Sequence, residues 1–284
     1  MPLRDILVVL HGANAGERRL AVTLALARQH GARVTAFCPL DLIGPPPGPL
    51  KLVGYGEAVL VDQEPAQPSR AAERAEQTEE SFRTGLAEHG LTGAWVTGDA
   101  DPPGTLVRLA HHADLVILGQ PEPESPSFAQ VQELIEHLLL HAGRPLLLIP
   151  YAGKFEAVGG RVLIGWTETR EAARAVHDAL PLLAGAEQVT ALTILEGRHA
   201  PAADEPPAAE LARHLQRHGI KATAARTVTD GIADADALLS YACDIGVDLL
   251  VMGGYGHSPL RERVLGGVTR SLLRHMTVPV LMSH

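Results

Sequence analysis

Short apolar runs alternate with longer, helix-like stretches from one end of the chain to the other. Runs such as Ile6-Leu7-Val8-Val9-Leu10 and Leu249-Leu250-Val251-Met252 show no polar alternation, the pattern of strands buried on both faces. In the second half, strands are predicted near 161–166, 188–195, 221–227, 247–252 and 278–283, with helices near 169–184, 207–218, 232–244 and 266–276. Regular strand–helix alternation implies right-handed βαβ crossovers, and so a doubly wound, mainly parallel α/β sheet with helices on both faces. In such a Rossmann-like sheet, ligands bind at the carboxyl ends of the strands. A further stretch near 69–89, carrying Glu73, Glu76, Glu79 and Glu80, predicts a charged, solvent-facing helix.

The pattern occurs twice. Ala113-Asp114-Leu115-Val116-Ile117-Leu118-Gly119 resembles Val247-Asp248-Leu249-Leu250-Val251-Met252-Gly253 at an offset of 134, and Arg144-Pro145-Leu146-Leu147-Leu148 resembles Val278-Pro279-Val280-Leu281-Met282 at the same offset. The opening strands, Ile6 to Leu10 and Val162 to Trp166, are 156 apart, so the first copy holds 22 extra residues in its middle. The proline-rich stretch Gly44 to Pro49 and the residues after it are their natural home, since such a segment suits neither helix nor central strand. Two tandem domains are expected, 1–152 and 158–284, each with a five-stranded sheet, joined through Tyr151 to Gly160.

The copies differ most after their fourth strand. In the second, Gly253-Gly254-Tyr255-Gly256-His257-Ser258 is followed at Gly266-Gly267-Val268-Thr269 by the start of a predicted helix. Glycines let backbone N–H groups turn toward an anion without a Cβ in the way, and the helix N-terminus adds favourable charge. Ser258 and Thr269 offer hydroxyls. Residues 254–277 hold Arg261, Arg263, Arg270 and Arg274 against Glu262, a balance of +3. In the matching window, 120–143, Gly256 becomes Glu122, Ser258 becomes Glu124, Gly266 becomes Gln132 and Gly267 becomes Glu133; with Glu136 the balance is −4. Only the first glycine persists, as Gly119. A phosphate site is expected in the second copy and not in the first.

Composition narrows the setting. The net charge of −9 disfavours nucleic acid as a general partner, because phosphate backbones require a basic face. No run approaches the length of a membrane span, and the N-terminus lacks a secretory cleavage pattern. Cys38 and Cys243 lie in different halves without metal or redox spacing, which suits a reduced, cytoplasmic setting.

The long pattern Gly253-x2-Gly256-His257-Ser258 through Gly266-Gly267-Val268-Thr269 to Val278-Pro279-Val280-Leu281 is similar to the ATP-binding signature and closing strand of the universal stress protein family. The resemblance covers the chain twice over, as in the tandem members of that family. It implies five-stranded sheets of the adenine nucleotide alpha hydrolase-like kind, packed as an intramolecular pseudo-dimer through their last strands, with further homodimer formation left open. It also implies a stress-response protein that binds ATP or a related adenine nucleotide, with or without magnesium, and acts on an unidentified protein partner as a regulator rather than an efficient enzyme. The implied contact residues are Gly253, Gly256, His257, Ser258, Gly266, Gly267, Val268, Thr269 and Thr167. Two departures weaken the expected affinity. Gly267 stands where the family has Ser or Thr, and Thr167, like His11 in the first copy, stands where it tends to have Asp.

Other candidates carry less. His137 and His141, four apart on a predicted helix with Glu133, are compatible with a metal but lack an evident fourth ligand. Asp99, Asp101, Asp230 and Asp234 follow the third strands; Asp230 is placed to hold magnesium through water, and capping of the next helix is the competing reading. His257 and Asp230 are the residues that slow nucleotide hydrolysis or group transfer would require. An interaction scaffold without bound nucleotide is the third alternative.

Overall fold

The computed structural model describes residues 2–11, 13–40, 50–53, 57–60, 68–98, 101–155, 157–197, 205–254 and 267–284. The first half runs β1 (Asp5–Val9), α1 (Ala13–His30), β2 (Arg33–Pro39), a hairpin of β3 (Leu50–Val53) and β4 (Glu57–Leu60), α2 (Pro68–His89), β5 (Gly93–Gly98), α3 (Pro102–Ala110), β6 (Leu115–Gly119), α4 (Phe128–His141) and β7 (Leu146–Ile149). The second runs β8 (Arg161–Gly165), α5 (Arg170–Leu183), β9 (Gln188–Glu196), α6 (Ala209–Arg217), β10 (Ala222–Thr229), α7 (Asp234–Asp244), β11 (Leu249–Gly253), α8 (Gly267–His275) and β12 (Val280–Ser283). The fold is α/β, as the pattern predicts. Part of the surplus in the first copy is the β3–β4 hairpin; the stretch Gly44 to Pro49 lies outside the described residues.

The two predicted five-stranded sheets meet through their last strands, β7 and β12. They form one ten-stranded sheet in the order β10-β9-β8-β11-β12-β7-β6-β1-β2-β5. Within each half of this sheet all pairings are parallel, while β7 and β12 meet antiparallel, with Leu147 opposite Leu281. The carboxyl ends of the two sets of strands therefore point in opposite directions. Strands near the centre are buried along their whole length, as in β6, β7 and β12, whereas edge strand β10 alternates exposed and covered positions. Two apolar cores line the two faces of the sheet, and each draws side chains from both halves.

Local chemistry places the elements. Asp101 caps α3 by accepting from Gly104 N at 3.0 Å, and two prolines follow it in the first turn. Thr169 caps α5 through Ala172 N. The N-cap of α7 is Ala233, which has no side-chain acceptor, so the capping reading holds for Asp101 and fails for Asp230 and Asp234. Asp234 instead sits in the first turn, where a carboxylate favours the helix dipole. The repeated aspartates act at the amino ends of the strands. Asp114 accepts from Arg4 N at 2.6 Å and Asp5 N at 3.1 Å, and Asp248 accepts from Gly159 N at 2.8 Å and Gly160 N at 3.0 Å. Each ties the fourth strand of its half to the entry of the first.

Candidate functional site

In each half the strand order reverses between the first and fourth strands of the sheet, the place where sheets of this kind have their crevice, at the carboxyl ends. In the second half it lies between Gly165-Trp166-Thr167, after β8, and Gly253-Gly254, after β11. The first turn of α5 closes one side. A Cβ on Gly253 would stand 2.6 Å from Ala172 N and 2.7 Å from the Glu171 carbonyl carbon. Backbone lies against backbone here, and only glycine permits it. Thr167 is exposed at the mouth, with its hydroxyl 3.2 Å from that of Thr169.

Gly267 is the first residue of α8, is exposed, and has open space where a Cβ would project among the described residues. Val268 is half-buried and Thr269 is buried, 3% exposed. Gly256, His257, Ser258 and Gly266 lie outside the described residues, as do Arg261 and Arg263. Of the remaining arginines, Arg274 lies over the Phe128 ring of α4 at 5.8 Å. Arg270 is half-buried. Its Nε is buried and, among the described residues, has no hydrogen-bond partner. The Ser283 hydroxyl, in register with Gly253, is buried without a partner in the same sense. Both groups are donors that an oxygen acceptor would satisfy.

Glu171, 6% exposed, is an acidic residue of this region that sequence reasoning missed. Burial pushes its carboxyl up, but the hydrogen bond from Arg170, its own backbone N–H, and the charges of Arg170 and His284 outweigh this and hold it low.

The first-half crevice is built differently. After β1 come Leu10 and His11, and after β6 come Gly119 and Gln120. The Arg19 side chain of α1, 1% exposed, presses its Nη1 over Gly119, and its Nη2 donates to the His11 carbonyl. Arg19 Nε and His11 Nδ1 have no partner among the described residues. Burial lowers the Arg19 pKa to about 10, so the guanidinium stays charged near neutrality. Burial, and then the Arg19 charge, holds the His11 imidazole well below its ordinary 6.5. Sequence reasoning missed Arg19 as well. The signal available was the second of two adjacent arginines, Arg18 and Arg19, at the head of a run whose Leu20, Val22 and Leu24 are buried in the helix.

Gln120, at the position matching Gly254, is 4% exposed and reaches the second half, donating Nε2 to Leu273 O at 3.0 Å. The other candidates lie apart. His137 and His141 stack at 4.3 Å, with His141 Nδ1 bonded to the His137 carbonyl, and no group of three metal-ligating side chains occurs among the described residues. Asp230 and Asp234 line an open pocket of about 400 Å³ with Gly197, Thr229 and Ile232 at the end of edge strand β10. Asp99 lies outside the described residues. No helix among the described residues is long and apolar enough to cross a membrane.

Residues 160–284 match the model of the universal stress protein family. A universal stress protein from Synechocystis is 44% identical over 46 residues, which span 16% of this chain and 16% of that protein. A universal stress protein of Archaeoglobus fulgidus superposes with a TM-score of 0.68 over 98% of this chain and 95% of its own, at 14% identity. A putative universal stress protein of Pseudomonas aeruginosa superposes at 0.53 over 99% and 93%, also at 14% identity. These two likenesses concern the fold, and they extend over both halves. The C-terminal half, residues 160–284, is thus similar in sequence to the universal stress protein family, and the likeness of fold extends over the whole chain.

Proposed function

We propose that the C-terminal half binds ATP or a related adenine nucleotide and that the chain acts as a nucleotide-dependent regulator in a stress response. The phosphates would lie along the backbone N–H groups of Gly253, Gly256, Gly266, Gly267 and Val268, with Ser258, His257 and the buried Thr269 as side-chain contacts. Thr167 would meet the sugar or base at the mouth. The chemistry asked of these residues is recognition: backbone donors, a helix N-terminus and the Arg270 guanidinium complement the charge of the phosphates. Magnesium is an optional companion, with Asp230 as its candidate. The N-terminal half serves as a structural partner without nucleotide.

One observation carries this reading. Of two switch points built on the same topology, the first holds the buried Arg19 side chain over its glycine, whereas at the second the space beside Gly253 is closed by the backbone of α5 and Gly267 has open space beside it among the described residues. The test is mass spectrometry of small molecules carried through native purification of the full chain. One equivalent of an adenine nucleotide, lost on Gly256→Glu, is the expected result. A non-nucleotide ligand retained by both forms would replace this reading with another.

A further inference from the structure

Gly254 and Gly267 are the two described stems of the glycine-rich loop, and the structure ties each stem, directly or through its helix, to the N-terminal half. The first stem is held at Gly254. Its N–H donates to Ser283 O at 2.8 Å, its carbonyl lies 3.2 Å from His284 Nδ1, and a methyl of Leu139 in α4 lies 2.6 Å from where a Cβ would stand. The second stem opens α8, a helix of nine residues and therefore only about 13 Å long. The last carbonyls of a helix have no intrahelical partner. Leu272 O is taken by Met276 N, and Leu273 O is taken by the Gln120 amide. Gln120 is itself fixed, because its Oε1 accepts from Tyr151 N at 3.2 Å at the end of β7. Arg274 over Phe128 adds a contact between α8 and α4 themselves.

These contacts are the same contact made twice. Residues 120 and 254 match at the offset of 134, and so do 139 and 273. The copies are not equivalent, however. Where the second half offers a glycine to Leu139, the first offers a buried amide that hydrogen-bonds the helix of its neighbour. A buried hydrogen bond at the far end of a short helix restrains its axis, and with it the position of its N-terminus at Gly267.

We propose that the N-terminal half is a positioning element for the nucleotide loop, acting through Gln120 on the axis of α8 and through Leu139 on Gly254. This rests on the proposal that the C-terminal half binds nucleotide. It gives the half whose own switch point is filled a task in binding: it holds both stems, Gly254 and α8, in place.

The test is a titration of the full chain with dye-labelled ATP, set beside thermal melting, for native protein, Gln120→Met, Leu139→Ala and Phe82→Leu. Gln120→Met keeps the side chain's length and removes both hydrogen bonds. Phe82→Leu perturbs the core of the same half beside Trp95, away from the seam. Gln120→Met is expected to weaken binding about five- to tenfold, the worth of one buried hydrogen bond. Leu139→Ala should shift affinity in the same direction, and it carries the test if Gln120→Met fails to fold. Phe82→Leu should lower the melting temperature with affinity unchanged. Native affinity in both seam variants, with melting lowered alone, would overturn the proposal and leave the nucleotide reading intact. Absence of ATP binding by native protein would overturn both.

Discussion

Gly253 and Gly119 occupy matching positions, yet different neighbours make them glycine. A Cβ at 253 would meet the backbone of α5, whose Ala172 N lies 2.6 Å away, and backbone cannot swing aside. At 119 the nearest atom is the tip of the Arg19 side chain, which can move. Gly253→Ala should therefore cost about 1–3 kcal/mol in denaturant melts, as overpacking does, and Gly119→Ala less. The reverse order would mean that the approach of α5 is not rigid. His11 supplies a second prediction at this scale. Its folded pKa is held well below 6.5, so the unfolded chain takes up a proton near 6.5 while the folded protein does not. Its contribution to stability is thus complete above 6.5 and is lost as pH falls below that value toward the folded pKa. Between pH 6.5 and about 5, the melting temperature of His11→Asn should fall less steeply than that of native protein. Equal slopes would remove His11 from the acid response, leaving His30 and His137, whose pKa values are lowered in the same direction.

The elements themselves were largely legible in the apolar pattern. Buried runs such as Leu249 to Gly253 and Leu146 to Ile149 carry no polar residue, and their spacing leaves room only for crossover helices. The repeat at an offset of 134 placed the matching strands of both halves. What the pattern could not express is a relation between distant elements. Nothing in Leu146-Leu147-Leu148 says that it pairs with Val280-Leu281-Met282 rather than ending a sheet. Arg19 and Gln120 escaped for the same reason, since each is explained only by a partner, Gly119 or Leu273, that folding brings to it. The seam between β7 and β12 yields its own prediction. Leu281 is fully buried opposite Leu147, so Leu281→Ala should lose about 2–5 kcal/mol. Both apolar cores run through both halves, so calorimetry should show one transition for native and variant alike. Two resolved transitions would mean that the halves unfold independently.

At the scale of the whole molecule, two copies of one fold differ at the same switch point. The seam joins them into a single sheet, points their crevices in opposite directions, and lets α4 of one half touch the loop stem of the other. The charge contrast of −4 against +3 over matching windows was visible in the residues alone. The physical filling of the first crevice by Arg19 was not, because it depends on a side chain from α1 rather than on the loop that lost its glycines. The central claim is that only the second crevice takes nucleotide, through its glycine-rich loop. A titration with dye-labelled ATP of native protein, Gly256→Glu and Gly266→Gln tests it most directly. One site per chain in native protein, with affinity lost in both variants, is the predicted result; equal affinity in all three would contradict it.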